Sequence, residues 1–151
     1  MLLNMKYSDF QIGDYVRYQG DIYIIEEISL KGWVHLIYTD TKVRVNLASD
    51  YIIDLLEPIP FTEVMAKKIG FTLHEEENMP KCWRYTEDDG IISVEFEPEI
   101  LTLKVWNGGA NSPIKEINYY TEDNAIYFHE LQHSLRQCGL SELANNLQLE
   151  D

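Results

Sequence analysis

Residues 127 to 139 (Tyr127-Phe128-His129-Glu130-Leu131-Gln132-His133-Ser134-Leu135-Arg136-Gln137-Cys138-Gly139) constrain the fold more than any other stretch. They carry the one long helical pattern in a chain that otherwise reads as strands. Phe128, Leu131, Leu135 and Cys138 recur at the spacing that puts them on one side of a 3.6-residue helix. Gly139 follows the last periodic residue, where a left-handed C′ position favours glycine, and Leu140 is placed to fold back as the accompanying apolar contact. Thr121, Asp123 or Asn124 is the expected cap at the other end. Ser141 would cap one further turn carrying Leu143 and Leu147. A single long helix after a series of strands predicts an α+β protein.

Residues 8–57 read as short strands joined by tight turns. Gly13-Asp14 leads into Tyr15 to Tyr18, and Gln19-Gly20-Asp21 turns into Ile22 to Ile28, with apolar residues on both faces. Lys31-Gly32 precedes Trp33 to Tyr38. Thr39-Asp40-Thr41 precedes Val43, Val45 and Leu47, which alternate with Lys42, Arg44 and Asn46 at the period of a half-buried strand. Four strands in some forty residues predict a small SH3-like antiparallel β-barrel, an analogy of fold that carries no function.

Pro58-Ile59-Pro60 breaks the pattern and marks the expected boundary with a second unit, residues 61–151. Thr62 offers an N-cap hydroxyl to a short helix with Glu63 in its first turn and Lys67 and Lys68 in its last. Gly70 ends it, Phe71 packs back, and Val64, Met65 and Ile69 form its apolar side. Strands then resume over Phe71 to His74, Cys82 to Thr86, Ile91 to Glu97, Ile100 to Trp106 and Ile114 to Tyr120. Ile92, Val94 and Phe96 alternate with Ser93, Glu95 and Glu97, which predicts one core face and one acidic face. Asp88-Asp89-Gly90 and Asn107-Gly108-Gly109 supply turns. The second unit is thus expected to be helix, antiparallel β-meander, helix.

The chain has 151 residues, 45% of them hydrophobic, with ten Tyr, five Phe and three Trp to build a core. It shows no leader pattern and no apolar run approaching a membrane span, so a cytoplasmic location is the expectation. Two cysteines without C-x-x-C spacing read as reduced thiols. The formal charge is −14, and residues 61 to 151 hold 7 Lys/Arg against 17 Asp/Glu, a net of −10. Such a field repels phosphate backbones and disfavours direct nucleic-acid binding. It suits solubility or a basic protein partner, including by mimicry of nucleic acid.

Two stretches, Glu57-Pro58-Ile59-Pro60-Phe61-Thr62 running to Lys68-Ile69-Gly70-Phe71 and Tyr127-Phe128-His129-Glu130-Leu131-Gln132-His133 running to Gly139, resemble an uncharacterised family. Its members are small hypothetical proteins from phages, prophages and mobile elements of gut anaerobic bacteria. The family pairs a P-I-P-L-T helix ending in G-F with a final V-H-x-L-Q helix. The resemblance implies a phage or mobile-element origin and brings no activity with it. Relatives in that family usually carry Gln at the position of Glu130 and Asn at that of His133, which weakens a zinc reading.

His129-Glu130-x-x-His133 has the spacing of zinc hydrolases, in which two imidazoles one helical turn apart bind the metal and the Glu acts as general base. Against that reading, Gly139 stands where a third His would follow, and only Glu142, Glu150 and Asp151 lie beyond. Cys82 is a possible upstream ligand but lacks the sequence that accompanies one. By helical geometry His129 and His133 lie opposite the apolar arc, facing a cleft or solvent, and the simplest reading is a solvent face or His129 hydrogen-bonded to the sheet. Cys82 or Cys138 beside a His would make a nucleophile pair, although Cys138 falls on the apolar arc. Glu75-Glu76-Glu77 and Glu95, Glu97 and Glu99 could bind a hard cation, but no Gly-punctuated Asp loop organises them and a solvated strand face is the simpler reading. Trp33 or Trp83 could form an aromatic ligand surface.

The resulting expectation is a non-enzymatic binding or accessory protein with an unidentified protein partner, no cofactor, no direct nucleic-acid contact and no membrane contact. Two alternatives remain at this point: a zinc-dependent hydrolase built on His129, Glu130 and His133, and an acidic inhibitor that mimics nucleic acid.

Overall fold

The computed structural model describes residues 10–30, 33–39, 41–47, 52–87, 90–108, 111–118 and 125–147. Lys31-Gly32, Asp40, Asp88-Asp89, Gly109, residues 119–124, Glu150 and Asp151, which carry several of the turn, cap and ligand expectations, lie outside them. The protein is α+β, with two antiparallel sheets. Two compact units divide between Ile59 and Pro60.

The first unit is built on β1 (Tyr15–Tyr18), β2 (Asp21–Ile28), β3 (Val34–Tyr38) and β4 (Arg44–Leu47), paired in the order β1-β2-β3-β4. Val16 faces Tyr23 and Tyr23 faces Tyr38 on one side of the sheet, while Tyr15 and Ile22, also buried, lie on the other. Val16, Ile25, Val34 and Leu36 join Phe10 and Leu56 in the buried core. Burying each such side chain contributes about 1.5–3 kcal/mol. The turn at Gly13-Asp14 is held from inside: Asp14 is buried and its carboxylate accepts the Gln11 N–H at 2.8 Å. Among the described residues the sheet does not close on itself, since β1 and β4 are its two edges. Val43 is exposed and outside β4, because the strand begins one residue later. A 3-10 turn over Ile52–Leu55, not anticipated from the sequence, precedes the boundary.

The second unit opens with α1 (Glu63–Lys68), runs through β5 (Thr72–His74), β6 (Cys82–Thr86), β7 (Ile92–Glu97), β8 (Thr102–Asn107) and β9 (Lys115–Asn118), and ends with α2 (Phe128–Gln137) and α3 (Ser141–Asn146). Its five strands form a meander in sequence order. Thr62 caps α1, its hydroxyl accepting the Met65 N–H at 3.3 Å. Gly70, at φ +106°, ends the helix in a conformation other residues rarely adopt, and Phe71 donates back to the Ala66 carbonyl at 2.8 Å. The helix buries Ala66, whereas Val64, expected on the apolar side, is 65% exposed. Glu63 is bonded instead: its carboxylate accepts the Trp83 indole N–H at 2.9 Å, with the Glu63 side of the helix toward β6.

Helix α2 ends as its sequence predicts, with Gly139 at φ +78° and Leu140 donating to the Leu135 carbonyl at 2.8 Å. It packs against β8 and α3. Phe128, Leu131 and Leu135 are fully buried, and Leu143, Ala144 and Leu147 of the α3 segment are buried as well. Ser141 is the first residue of α3 and Leu140 its N-cap, a correction to the expected Ser141 cap. Phe61 lies at the centre of the aromatic core, with ring centroids 4.6 Å from Phe96, 5.6 Å from Phe71 and 6.0 Å from Phe128. Its N–H donates to the Ile126 carbonyl at 2.7 Å, tying the start of the unit to the entry of α2.

Candidate functional site

The zinc-hydrolase pattern folds as a helix start. Tyr127 is the N-cap of α2, and a carboxylate oxygen of Glu130, in the first turn, accepts the Tyr127 N–H at 3.1 Å. An acid three residues after the cap satisfies a backbone donor that the helix leaves over and sits at the positive end of the helix dipole. The group that would serve as general base therefore has a structural task. Ser134 adds to the same turn, donating from Oγ to the Glu130 carbonyl at 2.8 Å.

The two histidines do not share an environment. His129 is 1% exposed, its ring stacked on Tyr127 at 6.0 Å, while His133 is only half-buried and meets His129 edge to face at 5.3 Å. The expectation that both face a cleft or solvent is thus corrected for His129. Helix α2 also buries Gln132 and Ser134, so its covered surface is wider than the arc marked by Phe128, Leu131 and Leu135. Among the described residues no group of three His, Cys, Asp or Glu side chains converges as a metal site, and Glu142 is exposed on α3.

Both thiols are shifted away from reactivity. Burial pushes the half-buried Cys138 up. Burial, then a hydrogen bond to Glu95, pushes Cys82 up to about 12; its Sγ donates to the Glu95 carboxylate at 3.3 Å. The thiolate is the reacting species, so Cys82 is held in its unreactive form. Iodoacetamide at pH 8 is expected to alkylate Cys82 more than about tenfold more slowly in the folded protein than in urea, with Glu95→Gln raising the folded rate. The unfolded chain gives up this proton near pH 9.0 and the folded chain near 12, so stability falls as pH rises through that window. Equal alkylation rates in the folded and unfolded chain would contradict the assignment.

The outer face of the second sheet gathers the charged side chains into a cleft. Residues directly opposite one another across an antiparallel pair share a face. Arg84 faces Glu95, Glu95 faces Lys104 and Lys104 faces Glu116, which makes a ladder of alternating sign across β6 to β9. On the other face Trp83, Phe96 and Leu103 line up in the core. The β5–β6 connection turns at Asn78, with φ +65°, where the Met79 N–H donates to the Glu76 carbonyl at 3.2 Å. It walls a cleft of about 240 Å³ that is lined by Met79, Pro80, Arg84, Glu95, Glu97 and Lys104, with His74, Glu76 and Cys82 completing it.

Within this cleft Glu95 and Glu97 are paired with cations rather than solvated, while Glu76 is exposed. Arg84 Nη2 lies 3.6 Å from Glu95, and Lys104 Nζ lies 3.4 Å from Glu97. The carboxylate side chains are only 19% and 13% exposed. The solvated strand face expected of Glu95 and Glu97 is corrected accordingly, while Glu75, Glu77 and Glu99 are exposed. Of the two candidate aromatic ligand surfaces, Trp83 is core and bonded to Glu63, and Trp33 is exposed beside His35 at 6.3 Å.

Sequence reasoning passed over Arg84, Lys104 and Met79. The signal for the two cations was present: each is the polar member of an apolar alternation, between Trp83 and Tyr85 and between Leu103 and Val105. No helix among the described residues is long and apolar enough to cross a membrane. No protein-family model matches the chain, and neither curated proteins nor solved structures yield a match.

Proposed function

We propose that this is a non-enzymatic binding or accessory protein of phage or mobile-element origin, acting in the cytoplasm on a protein partner, with a first unit of SH3-like barrel character. The observation that carries the binding reading is the outer face of β6 to β8, where charged side chains of both signs line a cleft. Cys82 is held protonated and Glu130 closes the first turn of α2. Four sequential antiparallel strands around one apolar cluster support the barrel character. The resemblance of residues 57–71 and 127–139 to the family of phage and mobile-element proteins supports that origin.

The chain's charge of −14 sets the kind of partner, a protein with a basic surface. A nucleic-acid mimic would present an unbroken run of carboxylates, whereas here Arg84 and Lys104 interrupt the ladder. An adaptor held by two-signed contacts fits this face better than a mimic. The test is affinity capture from lysate of a gut anaerobe with the tagged full chain, washed at rising salt. Exposed charges are screened beyond about 8 Å at physiological ionic strength, so the partner should elute as salt rises, and Glu95→Gln with Glu97→Gln should reduce its capture. A partner retained at molar salt and indifferent to both substitutions would overturn the charged-face reading.

A further inference from the structure

The cleft walled by the β5–β6 connection has features that a protein-docking face does not require. It is concave, small and two-signed. We infer that it is a binding site for a small zwitterion of the α-amino-acid class, its carboxylate taken by Arg84 and Lys104, its ammonium by Glu95 and Glu97, and its side chain laid against Met79 and Pro80.

Size comes first. At about 240 Å³ the cleft falls below the ~300 Å³ at which pockets for drug-sized ligands begin, so it suits a small occupant. Charge decides next. Two cations and the three carboxylates of Glu76, Glu95 and Glu97 line the same space, so a pure anion meets the acids and a pure cation meets Arg84 and Lys104. A ligand bearing both signs satisfies both.

The spacing of the pairs supports this. Charge-assisted N–H···O bonds close to about 2.7–2.9 Å, whereas Arg84 and Glu95 stand at 3.6 Å and Lys104 and Glu97 at 3.4 Å. Each pair is near enough to hold its partner in place and far enough apart to keep hydrogen-bonding capacity for a ligand. The carboxylates of Glu95 and Glu97 are largely shielded from water, so a contact made there is worth more than the same contact on an open surface. The exposed Met79 side chain at the rim supplies the polarizable, adaptable surface that suits an apolar side chain.

This site shares Glu95 and Glu97 with the docking face proposed above, and a titration of the chain alone with free amino acids tests it without any protein partner. The full chain, ¹⁵N-labelled, is titrated with L-methionine, L-leucine and glycine and followed by amide shifts. The amides of Cys82, Arg84, Glu95 and Lys104 are expected to move together. Methionine methyl ester, which lacks the carboxylate, and N-acetylmethionine, which lacks the ammonium, should each bind at least about tenfold more weakly. Glu97→Gln and Lys104→Met should weaken the amino acid by a similar factor while the spectrum keeps its dispersion. Arg44→Gln in the first unit should leave binding unchanged. Absence of shifts for all three amino acids up to about 10 mM would overturn the inference. So would an ester that binds as tightly as the amino acid, which would make the cleft a cation site.

Discussion

Phe96→Ala is expected to destabilise the protein by about 3–5 kcal/mol, the largest single loss anticipated outside α2. Phe96 is almost fully buried on the inner face of β7, opposite Leu103 on β8 and Trp83 on β6, and its ring lies 4.6 Å from that of Phe61. Removing it deletes the transfer free energy of the ring. It also leaves a cavity that its neighbours fill only in part, since Phe61 is fixed by its own contacts to Phe71 and Phe128. Val64→Ala on the exposed face of α1 is the internal control and should change stability by less than about 0.5 kcal/mol. Urea unfolding of both variants measures the difference. A Phe96 effect no larger than the Val64 effect would mean that the aromatic cluster does not hold the second unit together.

Much of this architecture was legible because local signals and global fold agree. Strand positions followed from alternation and helix ends from glycine, and after Gly70 and Gly139 the chain turns back with the Phe71 and Leu140 N–H groups donating to the Ala66 and Leu135 carbonyls. Where the reading failed, a tertiary contact outweighed a local pattern. Val64 looked like core by its type, but it is exposed, while Glu63 beside it bonds to Trp83, twenty residues on. Helical angle placed His129 opposite the apolar arc, toward a cleft, solvent or a bond to the sheet, and it is buried because α2 is enclosed on more than the one side that its apolar residues mark.

The candidate cleft was the least legible feature. Its residues come from β5, β6, β7, β8 and a loop, and only strand register brings them together. Sequence spacing within a strand gives the face of each residue, whereas register across strands decides which charges meet. Arg84, Glu95 and Lys104 are separated by 11 and 9 positions and stand in line only once β6, β7 and β8 pair. The HExxH pattern failed in the opposite direction. Its spacing was conspicuous within one helix, yet the same spacing places an acid where a helix start needs one.

Four substitutions in α2 separate these roles. Leu131→Ala should cost about 2–5 kcal/mol, because Leu131 is fully buried in the helix face that packs on the sheet. His133→Ala, at a half-buried position, should cost less than about 1 kcal/mol. Glu130→Ala should cost about 0.5–2 kcal/mol through the lost bond to the Tyr127 N–H, while Glu130→Gln keeps a carbonyl acceptor in the same place and should recover most of that loss. A general base behaves otherwise: replacing its carboxylate by an amide removes proton-accepting ability and abolishes turnover whatever the stability. Elemental analysis supplies the remaining arm, with zinc expected well below stoichiometric amounts. Stoichiometric zinc that is lost on His133→Ala, together with a hydrolytic activity lost on Glu130→Gln, would establish the zinc hydrolase in place of the binding protein. Stability recovered by Glu130→Gln with no activity to lose would leave Glu130 as the residue that starts the helix.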